Sequence, residues 1–163
     1  MSYINLIHTV FSVLALISGA VVIIQTKGTI THKRYGYTYF ISMLILIATS
    51  FMIFDLFEGF GAYHVLAIVS LVTLFLGMFF PLFKRNYRGW LIQHYMWMSY
   101  SYVGLVMAGG SHLFAMVPNW PSWLSILLFW VLPYVVGSIL IFKNRKKILQ
   151  DIKERYKMDI VVR

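Results

Sequence analysis

A chain of 163 residues that is 60% hydrophobic and only 12% charged is not a soluble globule, because a domain of this size has too little interior to hide so much apolar surface. The net charge of +9 does not point to nucleic acid, since the basic residues stand between apolar runs, as topology signals do. The chain has no cysteine, which excludes structural disulfides, thiolate metal sites and thiol nucleophiles.

Five apolar runs follow one another: Tyr3–Ile24, Tyr35–Phe57, Gly61–Phe83, Trp90–Gly110 and Ser122–Phe142. Each is long enough to cross a hydrocarbon core of about 30 Å. The first run is preceded by Met1 and Ser2 without a positive charge, and Lys27 and Arg34 come after it. It therefore reads as a retained helix inserted N-terminus outward, not a signal peptide. Short connectors make neighbouring helices antiparallel. The fold class is all-α: a polytopic membrane bundle of five transmembrane helices over residues 1–142, followed by a basic, amphipathic cytoplasmic helix over residues 143–163.

The fourteen Lys and Arg residues set the orientation. Lys27, Lys33 and Arg34 follow the first run, Lys84, Arg85 and Arg88 follow the third, and the rest, from Lys143 to Arg163, follow the fifth. In a five-span arrangement all lie on one side, which the positive-inside rule makes cytoplasmic. The expected location is the bacterial inner membrane, N-terminus outside and C-terminus inside. In the tail, Ile148, Leu149, Ile152 and Tyr156 form an apolar stripe at helical spacing between Lys and Arg residues, a pattern that suits a helix lying on anionic inner-leaflet lipids. Gly19, Gly77, Gly104, Gly109, Gly110 and Gly137 allow close helix contact, with a neighbour in the bundle, a second copy or another membrane protein. Pro133 is expected to kink the fifth helix. No internal repeat, phosphate-binding loop, nucleophile elbow or zincin motif occurs.

Ionisable side chains within spans mark function by default. His8, Asp55, His64 and His112 fall near the outer ends of four successive helices, with Glu58 close by. Imidazole and carboxylate together suit zinc, iron or copper. His32, in the first connector, and His94, one turn into the fourth helix, lie near the inner face. Two histidines at one depth are the usual axial ligands of a haem b. Each also has a plain structural reading, a hydrogen bond at the headgroup level.

The segments Lys27-Gly28-Thr29, His32-Lys33-Arg34-Tyr35-Gly36-Tyr37 and His94-Tyr95-Met96-Trp97-Met98-Ser99-Tyr100, with His64 in the third span, resemble an uncharacterised bacterial family of predicted membrane proteins with a domain of unknown function. The resemblance extends to about Gly110. It implies no activity, but marks His8, His32, His64 and His94 as positions to watch. A looser likeness is to di-haem membrane cytochromes of the b561 type. Here the histidines are not paired at two depths and His32 falls in a loop, which implies one haem or a metal ion in place of two haems.

Three functions fit these residues. The first is a His-ligated metal or haem protein moving electrons, with His8, His64, His112 and Asp55 at an outer metal centre and His94 with His32 at an inner one. The second is a small proton- or cation-coupled transporter or channel subunit using the same groups as relays. The third is a non-catalytic membrane assembly factor.

Overall fold

The computed structural model describes residues 2–53, 61–87, 89–114 and 121–156. Each of the five expected segments contains a helix, the second ending at Ser50 with residues 54–57 of its expected run outside the described residues, and no strand occurs among the described residues. The chain forms two compact units, Met1–Leu74 and Phe75–Arg163.

The first unit is built on a helical hairpin of α1 (Tyr3–Ile24) and α2 (Ile30–Ser50). At the N-terminus of α1 the Ser2 hydroxyl accepts from the Ile4 N–H. At its C-terminus the Lys27 ammonium donates to the carbonyls of Val22, Ile23 and Gln25 at 2.7, 2.5 and 3.2 Å. It thereby serves last-turn oxygens that have no donor within the helix and places a cation at the negative end of the helix dipole. Burial of this ammonium pushes its pKa below the ordinary lysine value. Gly28 turns the chain with φ 80°, where a side chain is strained. Thr29 then caps α2, its hydroxyl accepting from the His32 N–H at 3.2 Å. Lys27-Gly28-Thr29 is thus helix end, turn and helix start in three residues.

That cap moves one expectation. The apolar run suggests a second helix beginning at Tyr35 with His32 in a loop. Instead α2 starts at Ile30 and His32 lies in its first turn, because a satisfied N-cap lets the helix begin in polar sequence before the hydrophobic stretch. The hairpin packs small residues against large ones. Ala15, Ser18 and Gly19 of α1 are buried, as are Tyr39, Ser42, Met43, Leu46 and Ile47 of α2. Leu6, Val10, Val13 and Ile17 of α1 are exposed, an apolar stripe at helical spacing suited to lipid. The third helix, α3 (Ala62–Phe83), contributes its first half to this unit and its last turns, with Pro81, to the second.

The second unit is an antiparallel pair. One partner is α4 (Trp90–Phe114). The other runs continuously through α5 (Ser122–Ile126), a π-helical turn (Leu127–Val131) and α6 (Leu132–Tyr156). Their register is regular. Gly110 faces Phe129, and Val103 faces Gly137. The Tyr100 hydroxyl donates to Ser138 Oγ at 3.4 Å, and the Tyr95 hydroxyl to the Ile141 carbonyl at 2.9 Å. Leu91 packs on Leu149 and Ile152. The kink expected at Pro133 is resolved as the π turn just before it, where the Leu132 N–H reaches back to the Leu127 carbonyl. Pro133 brings no N–H to this stretch, and a wider turn re-pairs the donors upstream.

The stretches Tyr3–Ile24, Tyr63–Phe83 and Trp123–Glu154 are long and apolar enough to cross a membrane. The other two helices, α2 with 21 residues and α4 with 25, are also long enough but carry more polar side chains. Each is packed against an apolar helix of its own unit. This is a helical membrane bundle, as the sequence indicates. The tail differs in one respect. No break separates it from the fifth segment, and its stripe residues Leu149 and Ile152 are 0% and 5% exposed, packed on α4.

The turn makes a stability prediction. Gly28→Ala and Thr29→Ala should each lower stability by about 1 kcal/mol. Gly36→Ala, in mid-helix with open space around the added Cβ, should be neutral or stabilising by up to about 1 kcal/mol. Thermal unfolding in detergent distinguishes the three; equal losses would contradict the cap geometry.

Candidate functional site

The chemistry of the second unit starts from a missing hydrogen. Pro81 sits inside α3 and has no N–H, so the carbonyl four residues earlier, that of Gly77, lacks its helical donor. A carbonyl without a donor inside a membrane protein is costly. The ring of His94 supplies the donor, with Nδ1 at 2.7 Å from the Gly77 oxygen. The close approach depends on Gly77 itself. A Cβ there would meet Met98 Sδ at 2.5 Å and Cγ at 2.8 Å. His94 and Met98 are four residues apart on α4, so both lie on the face turned to Gly77.

This bond fixes the tautomer. Because the carbonyl only accepts, Nδ1 carries the proton, and in the neutral ring Nε2 carries the lone pair. A backbone carbonyl on one ring nitrogen is the usual support for a histidine that ligates through the other. Around it, Gln93 accepts from the Trp97 indole at 3.1 Å. The aromatic stretch after His94 packs on α6, with Tyr100 and Tyr134 ring centroids 6.3 Å apart.

In the first unit, His8 Nδ1 lies 3.0 Å from Thr49 Oγ1. The Thr49 hydroxyl also reaches the carbonyls of Ile45 and Leu46, each at 2.9 Å. His8 thus meets a hydroxyl that is also bonded within its own helix. His64 is held in the opposite sense to His94. It is 3% exposed, and its Nδ1 accepts from the Gly61 N–H at 3.1 Å. With α3 starting at Ala62, Gly61 is the N-cap and His64 the third helical residue. The imidazole therefore closes the return half of a capping box, a role usually filled by Glu or Gln. In the neutral ring its proton is on Nε2, a donor. Phe51 tilts against the ring with centroids 6.1 Å apart.

The other expected site residues distribute as follows. His32 is half-buried in the first turn of α2. His112 is exposed in the last turn of α4. That helix is unbroken through Gly109-Gly110, so His94 and His112, about five turns apart, lie on the same face. His8, His32 and His64 belong to one unit, and His94 and His112 to the other. Asp55 and Glu58 lie outside the described residues. Among the described residues no three His, Asp or Glu side chains come together as a metal cluster. Two functional partners escape a reading for ionisable groups, Thr49 and the Gly77 carbonyl. The second leaves a signal, a proline four residues after a glycine inside an apolar run.

A family model described as a predicted membrane protein, DUF2306, matches residues 5–141. The chain belongs to this family. DUF2306 covers His8, His64 and His94 and the Lys27-Gly28-Thr29 turn, so the family resemblance seen in the sequence holds, and the chain is an integral membrane protein. The likeness to b561-type cytochromes gains no support from the comparisons. No curated protein and no solved structure matches the chain.

The Pro81–Gly77–His94 arrangement predicts a thermodynamic coupling. His94→Ala alone should cost about 1–3 kcal/mol by leaving a buried carbonyl without a donor. Restoring the backbone donor with Pro81→Ala should remove most of that cost. A double-mutant cycle in unfolding experiments measures it, and strictly additive effects would contradict the coupling. At the first unit, His64→Gln should retain the cap, whereas His64→Ala should lose about 1 kcal/mol.

Proposed function

We propose that this DUF2306 protein is a His-ligated cofactor protein of the membrane, holding a transition-metal ion or a haem b through the Nε2 atom of His94. The observation that carries this reading is the Nδ1–H bond of His94 to the Gly77 carbonyl, which orients the ring and leaves Nε2 as the electron-pair donor. His8, whose Nδ1 meets the Thr49 hydroxyl, is the candidate ligand of a second group. His32 is the further inner candidate, and His64, His112 and Asp55 are the further outer ones. Zinc, iron and copper all accept imidazole nitrogen. A haem would make the protein an electron carrier across or along the membrane, with the imidazoles setting its potential. On the charge pattern, the N-terminus faces outward and the basic end faces the cytoplasm of a bacterial inner membrane.

A visible spectrum and elemental analysis of the full chain, purified from its own membrane in mild detergent, test the reading. The expected result is a Soret band or a stoichiometric transition metal that is lost in His94→Ala. The double variant His94→Ala with Pro81→Ala keeps the Gly77 carbonyl paired while removing the ligand, so loss of the bound group there separates ligation from folding. A colourless, metal-free, folded protein would overturn the proposal.

A second reading, a small proton- or cation-coupled transporter, draws on a different feature. Two helices depart locally from regular α geometry, α3 with Pro81 inside it and the last span at the π turn Leu127–Val131, and irregular helices can supply ion-coordinating carbonyls in transporters. Cation-dependent flux into proteoliposomes by protein lacking any bound chromophore would favour it.

A further inference from the structure

The last helix passes from apolar to basic sequence without interruption. Phe142 is exposed and apolar, while Lys143, Lys146 and Lys147 are exposed and cationic, and α6 continues to Tyr156. A helix that lies on a membrane needs a free apolar stripe to bury among the acyl chains. Here Leu149, 0% exposed, and Ile152, 5% exposed, are packed on Leu91, with Trp90, Ile92 and Ile148 around them. The stripe is occupied within the protein, and no bend separates the tail from α6.

The rise of the helix then assigns levels. The headgroup region on each side of a bilayer is about 5–8 Å thick. From Lys143 to Lys147 the helix climbs about 6 Å, within that layer, and by Tyr156 it has climbed about 20 Å. At the same end of the unit, a tight turn joins α3 to α4, with the Tyr87 N–H on the Lys84 carbonyl and the Trp90 N–H on the Tyr87 carbonyl. This turn exposes Lys84 and Arg85 beside the first turn of α4, on which the tail packs. The acidic residues of α6, Asp151 and Glu154, come only further out.

We propose that Lys143, Lys146 and Lys147 form a belt that binds the phosphates of anionic phospholipids, and that the tail beyond Ile148, with the start of α4 on which it packs, stands clear of the headgroups as a projecting helix. Charge complementarity names the occupant. The three cations are exposed and sit where lipid phosphates are concentrated. The inference uses the membrane setting and the α4–α6 packing, not the cofactor reading, and its tests read lipid and depth only.

The full chain is placed in nanodiscs of phosphatidylcholine with or without phosphatidylglycerol. Phosphatidylglycerol should raise the thermal midpoint, with the rise shrinking as salt screens it. Lys143→Gln, Lys146→Gln and Lys147→Gln combined should weaken retention of that lipid about tenfold or more, while Lys153→Gln should leave it unchanged. No shift with phosphatidylglycerol, or an equal loss from Lys153→Gln, would overturn the belt. A shift with soluble polyglutamate but none with the lipid would assign the surface to an acidic protein instead, and would also overturn it. Depth is read separately. Because the chain lacks cysteine, Gln150→Cys gives a single labelling position, where a fluorophore should be quenched by aqueous iodide. Quenching by lipid-borne nitroxide in its place would mean that the tail lies on the membrane.

Discussion

One hydrogen bond between a side chain and a backbone organises the second unit. Pro81 removes a donor from α3, Gly77 leaves room for another helix to approach, and His94 supplies the missing N–H at 2.7 Å. Each of the three residues makes sense only with the other two. Proline inside a membrane helix is tolerable where something else satisfies the freed carbonyl. An imidazole is the donor that also leaves a basic nitrogen behind. An amide or hydroxyl could make the same bond, but neither would present a free nitrogen lone pair to a metal. Structural repair and capacity for ligation are therefore carried by the same ring.

The first unit uses its histidines for local structure to different degrees. His64 completes a helix cap, with its Nδ1 occupied as an acceptor. His8 leans on a threonine that already bonds to its own helix. These contacts sort residues that look equivalent in the sequence. A histidine whose Nδ1 accepts from a backbone N–H supports the fold through that atom, whereas one whose Nδ1 donates to a carbonyl keeps a basic Nε2. The Lys27-Gly28-Thr29 segment, which helps to mark the family, belongs to the first kind. Its lysine closes one helix, its glycine turns the chain and its threonine opens the next.

Much of the fold is legible in the sequence because hydrophobic run length maps directly onto helix length in a bilayer. The starts of α1 and α4 at Tyr3 and Trp90 coincide with the run boundaries. The start of α2 does not, since a capping threonine counts for nothing on a hydropathy scale. Position along a helix is legible for the same reason as length, but azimuth is not. Nothing in the spacing of His8, His64 and His94 tells which oxygen or N–H each ring meets. That depends on which helices pack together and in what register. The tail illustrates the same limit: its stripe of Ile148, Leu149 and Ile152 is plain in the sequence, but the choice between lipid and α4 as its cover is tertiary.

The π turn at Leu127–Val131 has a consequence for comparing relatives. A π turn accommodates one residue more than a regular helix of the same rise, and one residue corresponds to about 100° of rotation around the axis. Below it, Gly137 meets Val103 and Leu149 meets Leu91; within it, Phe129 meets Gly110. A family member with one residue fewer in this stretch would form an uninterrupted α-helix and keep the packing of Gly137 and Leu149 on the fourth helix. A single-residue gap in an alignment of this span would thus record a real change in backbone winding, with the packing below it kept.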